Sequence, residues 1–447
     1  MRFLIAILVA AAGANAQDTR NVTEPVIPPT CTVVTAHLTS HAGTLDEAGE
    51  KTPDTARIQS AIDGCAAGHA VTLRPGARHD AFLSGPLQLR PGVTLVVDAG
   101  AILFASRNPR DYDLKPGVCG TIDASGHSCK ALINGDHAQN SGVMGDGVID
   151  GRGGEKIMGQ DSTWWELADK ARAGGNQNNP RIVMVSYCDN FTLYRITLRN
   201  SPNFHVSYKS GNGFTVWGVK IYSPKRARNT DGIDPANSTN VTITHSFIDA
   251  GDDNVAIKAG SGLPTTHMTI SHNHFYSGHG MSIGSETDGG ASAIRVTDLS
   301  MDGGDNAIRI KSNSSRGGLV HDIVYEDVCI RNVTNPILMD THYTPLGKET
   351  DKIPVFEDIT LRDVRLLGAG KITLDGFDAA HKLEMTFDNV IGDAPNDLKI
   401  VGSHSRLTFG PGPVNLRTSG DDVTVTGTPG KGSPNSCVNK FVPFPGR

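Results

Sequence analysis

The sequence predicts an all-β, single-domain, right-handed parallel β-helix with an N-terminal capping helix. Short apolar-alternating segments superimpose along the second half: "NFTLYRITL" from Asn190, "GFTVWGVKI" from Gly213, "NVTITHSFI" from Asn240 and "HMTISHNHF" from His267. "AIRVTDLSM" from Ala293, "DIVYEDVCI" from Asp322 and "DITLRDVRL" from Asp358 continue them, and "EMTFDNV" from Glu384 is a fainter copy. The equivalent positions Leu193, Val216, Ile243, Ile270, Val296 and Tyr325 are 23, 27, 27, 26 and 29 residues apart, the self-similarity of a solenoid. Each copy is β-branched and bounded by Gly, Asn, Asp or Ser, and the 51 glycines of the chain suit tight turns rather than a helical core. No Leu-x-x-Leu-x-Leu pattern recurs, and propeller blades would be longer, so stacked strand-only coils are what remain.

The elements follow in order. "MRFLIAILVAAAGANAQ" has one positive residue, an apolar run and an A-x-A cleavage pattern, so residues 1–16 read as a signal peptide. The run is too short to span a bilayer. The mature chain, 17–447, is expected to be secreted, extracellular and monomeric, with no membrane or nucleic-acid partner. Its net charge of −6 offers no general attraction to either. Solenoid ends need covering, and the capping region is placed at about 30–70. Within it, 52–68 carries Ile58, Ala61, Ile62 and Cys65 at helical spacing after a Thr52-Pro53 start signal. Residues 153–180, with Trp164 and Trp165, break the repeat and read as a long insertion packed by its tryptophans.

Seven cysteines fit an oxidising compartment. Cys31 with Cys65, and Cys119 with Cys129, are the expected bridges. Cys188 and Cys329 fall in strand-like runs and are expected as buried thiols. Cys437 lies in the Pro/Gly-rich tail, about 414–447, without a readable partner. No Cys or His spacing resembles a zinc site, and no metal or other cofactor is expected. Asn-x-Ser/Thr triplets such as Asn240-Val241-Thr242 coincide with the strand repeat, so glycosylation does not follow from them.

A second short strand follows the first in each coil: "GID" after Asp231, "NVAIK" after Asp253, "MSIG" after His279, "AIRIK" ending at Lys311, and "PILMD" before Tyr343. Equivalent strands stack about 4.8 Å apart. Asp231, Asp252 with Asp253, His279, Arg309 with Lys311, and Tyr343 therefore form a polar ladder over five coils. A turn before the strand lets both neighbouring aspartates project from one edge toward Asp231. Three crowded carboxylates cannot all ionise easily, so one holds a proton near neutral pH. A carboxylic acid beside a carboxylate is the equipment of glycosidic bond cleavage, and a histidine can reload the acid. Arg309 and Lys311, two apart on a strand, share a face opposite Ile308 and Ile310. "PKRARN" (224–229) adds positive field beside Asp231, with Arg228 as the expected contact. His205 in "NSPNFHV" is open between internal hydrogen bonding and the groove.

"NTDGID", "GDDNVAIK", "GHGMSIGSE" and "RIK", in that order, resemble the four signature segments of the polygalacturonases, glycoside hydrolase family 28, and most closely the bacterial secreted endo-polygalacturonases. "FLSGPL", "STWWELA", "NFTLY", "NSPNFHV" and "ARNTDGIDP" extend the resemblance over most of 30–400. The resemblance implies a pectin-lyase-like β-helix that hydrolyses α-1,4-galacturonan with inversion. It implies Asp252 as general acid, Asp231 and Asp253 as activators of water, and His279 as support for Asp252. Arg309 and Lys311 would hold a substrate carboxylate, and Tyr343 a sugar. The tail has no counterpart. The alternatives are an exo-acting enzyme or a hydrolase of rhamnogalacturonan or a related backbone, then a pectate lyase, which needs Ca²⁺ and a basic proton abstractor, then a surface adhesin, which needs no polar ladder. Steps of 26–29 residues beside the ladder leave little material for a wall, and the insertion is placed at least two coils away, so an open cleft and internal cutting are expected.

Overall fold

The structure is a computed structural model that describes residues 17–126, 128–344, 348 and 350–446; the expected signal peptide lies outside the described residues. Of the 33 strands among them, 31 form one continuous system in which successive coils pair in parallel. The other two, Ile122–Asp123 and Asn176–Gln177, pair antiparallel and tie the insertion to the loop closed by Cys119–Cys129.

The positions equated in the sequence are in register. Leu193, Val216, Ile243, Ile270, Val296 and Tyr325 pair in succession and continue to Leu361 and Phe387. All eight are at most 1 % exposed. The side-chain period of 2 explains this, since a slip by one residue would turn every apolar side chain outward. From Thr265 onward the first strand and its successor fuse into single long strands, Thr265–Phe275, Ala291–Asp302 and Leu319–Arg331. The second-strand series stacks as expected: Ile233–Ala236, Val255–Ile257, Met281–Gly284, Asn306–Lys311 and Asn335–Asp340.

The capping helix spans Thr55–Asp63, shorter than the expected 52–68, and buries Ile58 and Ile62 on the first coil. It stops at Gly64 because Cys65 turns away to its disulfide with Cys31. The insertion contains a helix, Trp164–Lys170, started by a capping box between Thr163 and Glu166. Trp164 is buried, and the Trp165 indole donates to the Ser201 carbonyl at 2.9 Å, so both tryptophans pack as expected.

Cys188 is a buried thiol, but Cys329 is not: it forms a disulfide with Cys437, 108 residues away. The tail folds back along the solenoid. Asn435 donates to Asp327 and to the Asp363 carbonyl, Lys440 pairs with Asp327 at 2.7 Å, and Arg331 covers the Phe441 ring. The Tyr276 hydroxyl donates to the Val442 carbonyl, and Phe444 packs against Tyr222, Phe247 and Tyr276. This path has no periodicity, which is why it left no trace in the repeat.

Candidate active site

The bend that carries the paired aspartates is built by Asn254. Its buried amide donates to the Ile248 and Ser277 carbonyls at 3.0 Å each, and its Oδ1 accepts from Gly280 N–H at 3.0 Å. Two coils are thereby pinned around residues 252–254. Gly280 has φ +82, and a Cβ there would lie 2.2 Å from the Ala307 carbonyl oxygen, so "GHG" fits where a side chain would not. His279 N–H donates to the Asp252 carbonyl, and Nδ1 of the same histidine lies 3.0 Å from Asp252 Oδ1.

The two aspartates take different partners. Asp252 faces His279 and keeps a solvent edge, its side chain 17 % exposed. Asp253 is buried at 1 % exposure and accepts from Ser282 Oγ (2.7 Å), Arg309 Nη1 (3.0 Å) and Lys311 Nζ (2.7 Å). Ser282 is paired with Arg309 on the next coil, so the two cations reach down past it. Arg309 and Lys311 do share a face, as expected, and both grip Asp253. The Tyr343 ring packs against both, 5.3 Å from each cation to the ring centroid.

Asp231 is buried one coil below, and its Oδ1 has no hydrogen-bond partner. Burial, then the charges of Asp234 and Asp252, raise it well above the usual carboxylate range. Burial also pushes Asp234 up to about 6, against the pull of Lys258. Burial alone would raise Asp252 and Asp253 too. The hydrogen bond and charge of His279 instead hold Asp252 low, and Lys311 and Arg309 hold Asp253 low. Burial would depress His279, but its bond to Asp252 outweighs that and raises it. Asp231 and His279 are thus the groups that favour a proton, and Asp252 and Asp253 the ones that favour negative charge.

His205 is internal. It is fully buried, bonds the Asp231 carbonyl and the Ser223 hydroxyl, and is pushed down to about 4 by burial, so it is a neutral brace for the backbone at Asp231. Arg228 donates to the Ala168 carbonyl at 2.9 Å. The insertion therefore comes up to the loop just before Asp231, nearer than the expected two coils, because its helix leans on the 224–229 loop.

Sequence reasoning passed over Asp234, Lys258 and Ser282. Lys258 Nζ lies 3.2 Å from Asp234 and 3.9 Å from Asp231. Strand parity exposes them: Asp234 follows inward Ile233, and Lys258 follows inward Ile257, so both face the ladder. Asp252, Asp253 and His279 each offer a ligand atom within 4.8 Å of the others, as a metal site would. Arg309 and Lys311 already neutralise Asp253, and a divalent cation would have to displace them.

Residues 103–401 match the model of glycosyl hydrolases family 28. A polygalacturonase of Ralstonia nicotianae is 41 % identical over 97 % of this chain and 94 % of its own. An endo-polygalacturonase of Pectobacterium carotovorum subsp. carotovorum is 43 % identical over 85 % of this chain and 91 % of its own. The solved polygalacturonase from Erwinia carotovora ssp. carotovora superposes with a TM-score of 0.77 at 39 % identity, covering 94 % of this chain and 99 % of that one.

Proposed function

The chain belongs to glycosyl hydrolases family 28, and from that premise we propose that it is a secreted, monomeric endo-polygalacturonase that hydrolyses internal α-1,4-galacturonosyl linkages of de-esterified pectin with inversion. The observation that carries the reading is the division of labour among three carboxylates: one solvent-edged and bonded to a histidine, two buried, of which one is clamped by cations.

In this reading Asp252 protonates the leaving glycosidic oxygen. Its proton comes through the 3.0 Å contact with His279 Nδ1. When substrate displaces water, the ion pair loses solvation and the neutral acid with neutral imidazole becomes the favoured form. A water on the other side of the sugar attacks the anomeric carbon and gives its proton to the Asp231–Asp253 pair, which shares a negative charge kept on Asp253 by Arg309 and Lys311. Asp253 is then the primary base, because Lys311 and Arg309 hold its carboxyl low while burial raises that of Asp231. Arg309 and Lys311 can turn part of their donor capacity to a galacturonate carboxylate, with Tyr343 and Arg228 at the sugar.

A depression of about 520 Å³ lined by Gln88, Leu114, Lys130, Asn134 and Met184 follows two to four coils below Asp231, which suits binding from mid-chain. The test is viscometry of polygalacturonate alongside reducing-end release. A steep fall in viscosity while few ends have appeared, unchanged by chelator, is expected. Monomer or dimer alone from the first minutes would make the enzyme exo-acting, and unsaturated products lost in chelator would make it a lyase.

The pH dependence follows from the proton inventory. The reservoir proton on His279 is present below its raised pKa and absent above it, so kcat/KM should fall as pH rises beyond the ordinary histidine range of about 6.5. Asp253 stays ionised below the usual carboxylate range, so the acid limb should begin below about pH 4. His279→Ala should lower kcat by about 10²-fold and remove that alkaline limb. An alkaline limb that persists in His279→Ala would assign the reservoir elsewhere.

A further inference from the structure

Most cations on the cleft face already hold a carboxylate. Arg309 and Lys311 hold Asp253, Lys258 lies against Asp234, and Lys225 is 2.9 Å from Asp305. Arg181 is different. It is half-buried, its Nη1 donates to Met184 Sδ at 3.3 Å, and its guanidinium lies over the Phe204 ring, 4.7 Å from the centroid. Among the described residues no carboxylate comes within ion-pair distance of it. Lys258 Nζ lies 4.8 Å from the centroid of the same ring, so one phenyl group steadies two cations.

The register gives this group its place. Val183, Val206, Ile233, Val255 and Met281 pair in succession up the stack. Two residues before each stand Arg181, Phe204, Asp231, Asp253 and His279, so the ladder of acids continues downward into an aromatic ring and an arginine. Arg181 sits two coils below Asp231, roughly 10 Å along the axis. Met184, which accepts from Arg181, also lines the 520 Å³ depression, so the arginine stands at the joint between the acids and the rest of the cleft. A guanidinium with planar donors and no carboxylate in ion-pair contact, balanced only at longer range by the charges of Asp234 and Asp231, is suited to a bidentate carboxylate contact from a polyanion.

We infer that Arg181, positioned by Phe204, is a uronate-binding subsite on the N-terminal side of the cleavage acids, reading the carboxylate of a galacturonate unit. The inference rests on the polygalacturonase reading and deepens it. The subsite selects free acid over methyl ester, since an ester has no charge to offer the guanidinium.

The test is steady-state kinetics of Arg181→Met and Arg181→Lys on de-esterified polygalacturonate and on highly methyl-esterified pectin, with thermal unfolding measured in parallel. Arg181→Met should raise KM on polygalacturonate about tenfold, the size of one lost charge-assisted contact, with kcat little changed and a much smaller rise on esterified pectin. Arg181→Lys, which keeps the charge but loses the planar fork, should raise it about threefold. It is the variant to read if Arg181→Met unfolds early. An unchanged KM in a variant that melts like the wild type, or equal rises on both substrates, would overturn the subsite. A wild-type enzyme inactive on polygalacturonate would instead overturn the reading beneath it.

Discussion

Asp252→Asn is expected to lower kcat on polygalacturonate by about 10³–10⁴-fold and to leave the melting temperature within a degree or so of wild type. Asparagine is isosteric but has no acid proton, so the leaving oxygen departs unprotonated. The fold has little reason to respond. Asp252 keeps a solvent edge, its backbone is fixed by contacts of Asn254 and His279, and its one side-chain partner beyond its own turn is the half-buried His279. Oligomer binding by calorimetry should survive. Turnover above a few per cent of wild type, with an unchanged circular dichroism spectrum, would move the acid to another residue.

Asp253→Asn should be nearly as damaging to kcat, but with a second signature. The substitution removes the anion that Arg309 and Lys311 share, and both side chains are only 7 % exposed. Leaving buried charges unpaired costs about 3–5 kcal/mol when one partner of a pair is removed. Asp253→Asn should therefore unfold at clearly lower denaturant concentration than Asp252→Asn, although the two positions are adjacent. Equal midpoints would mean that Arg309 and Lys311 find another anion, with Asp252, whose charge acts on both, the available alternative. The contrast separates a residue that only reacts from one that also holds the site together.

The solenoid was legible because its signal is repeated: eight stacked apolar positions each report the same inward face, and an error at one is outvoted by the others. The ladder was legible for the same reason. What escaped does not repeat. The partner of Cys329 lies in an aperiodic tail, and the capping helix ends where a disulfide, not a propensity, turns the chain. The hold of Arg309 and Lys311 on Asp253 depends on side chains long enough to cross a coil, which strand spacing alone does not reveal. Asp234 and Lys258 were within reach of parity but sat in strands read for their apolar face. Arg181 occupied the right position, two before its strand, directly after an insertion that interrupted the count.

The returning tail has a consequence for how the molecule comes apart. In a solenoid each coil touches only its neighbours, so stability is a sum of nearest-neighbour terms and unravelling can start at an end and advance one coil at a time. Here the chain's own end is fastened to its middle, through Cys437 at Cys329, Lys440 at Asp327, and Phe444 between Tyr222, Phe247 and Tyr276. The last coils cannot peel away singly, because the segment that follows them is latched to the coils that bear the acids. Loss of the C-terminal end becomes a collective event rather than progressive fraying, and the last coils share the fate of those that bear Asp231, Asp252 and Asp253.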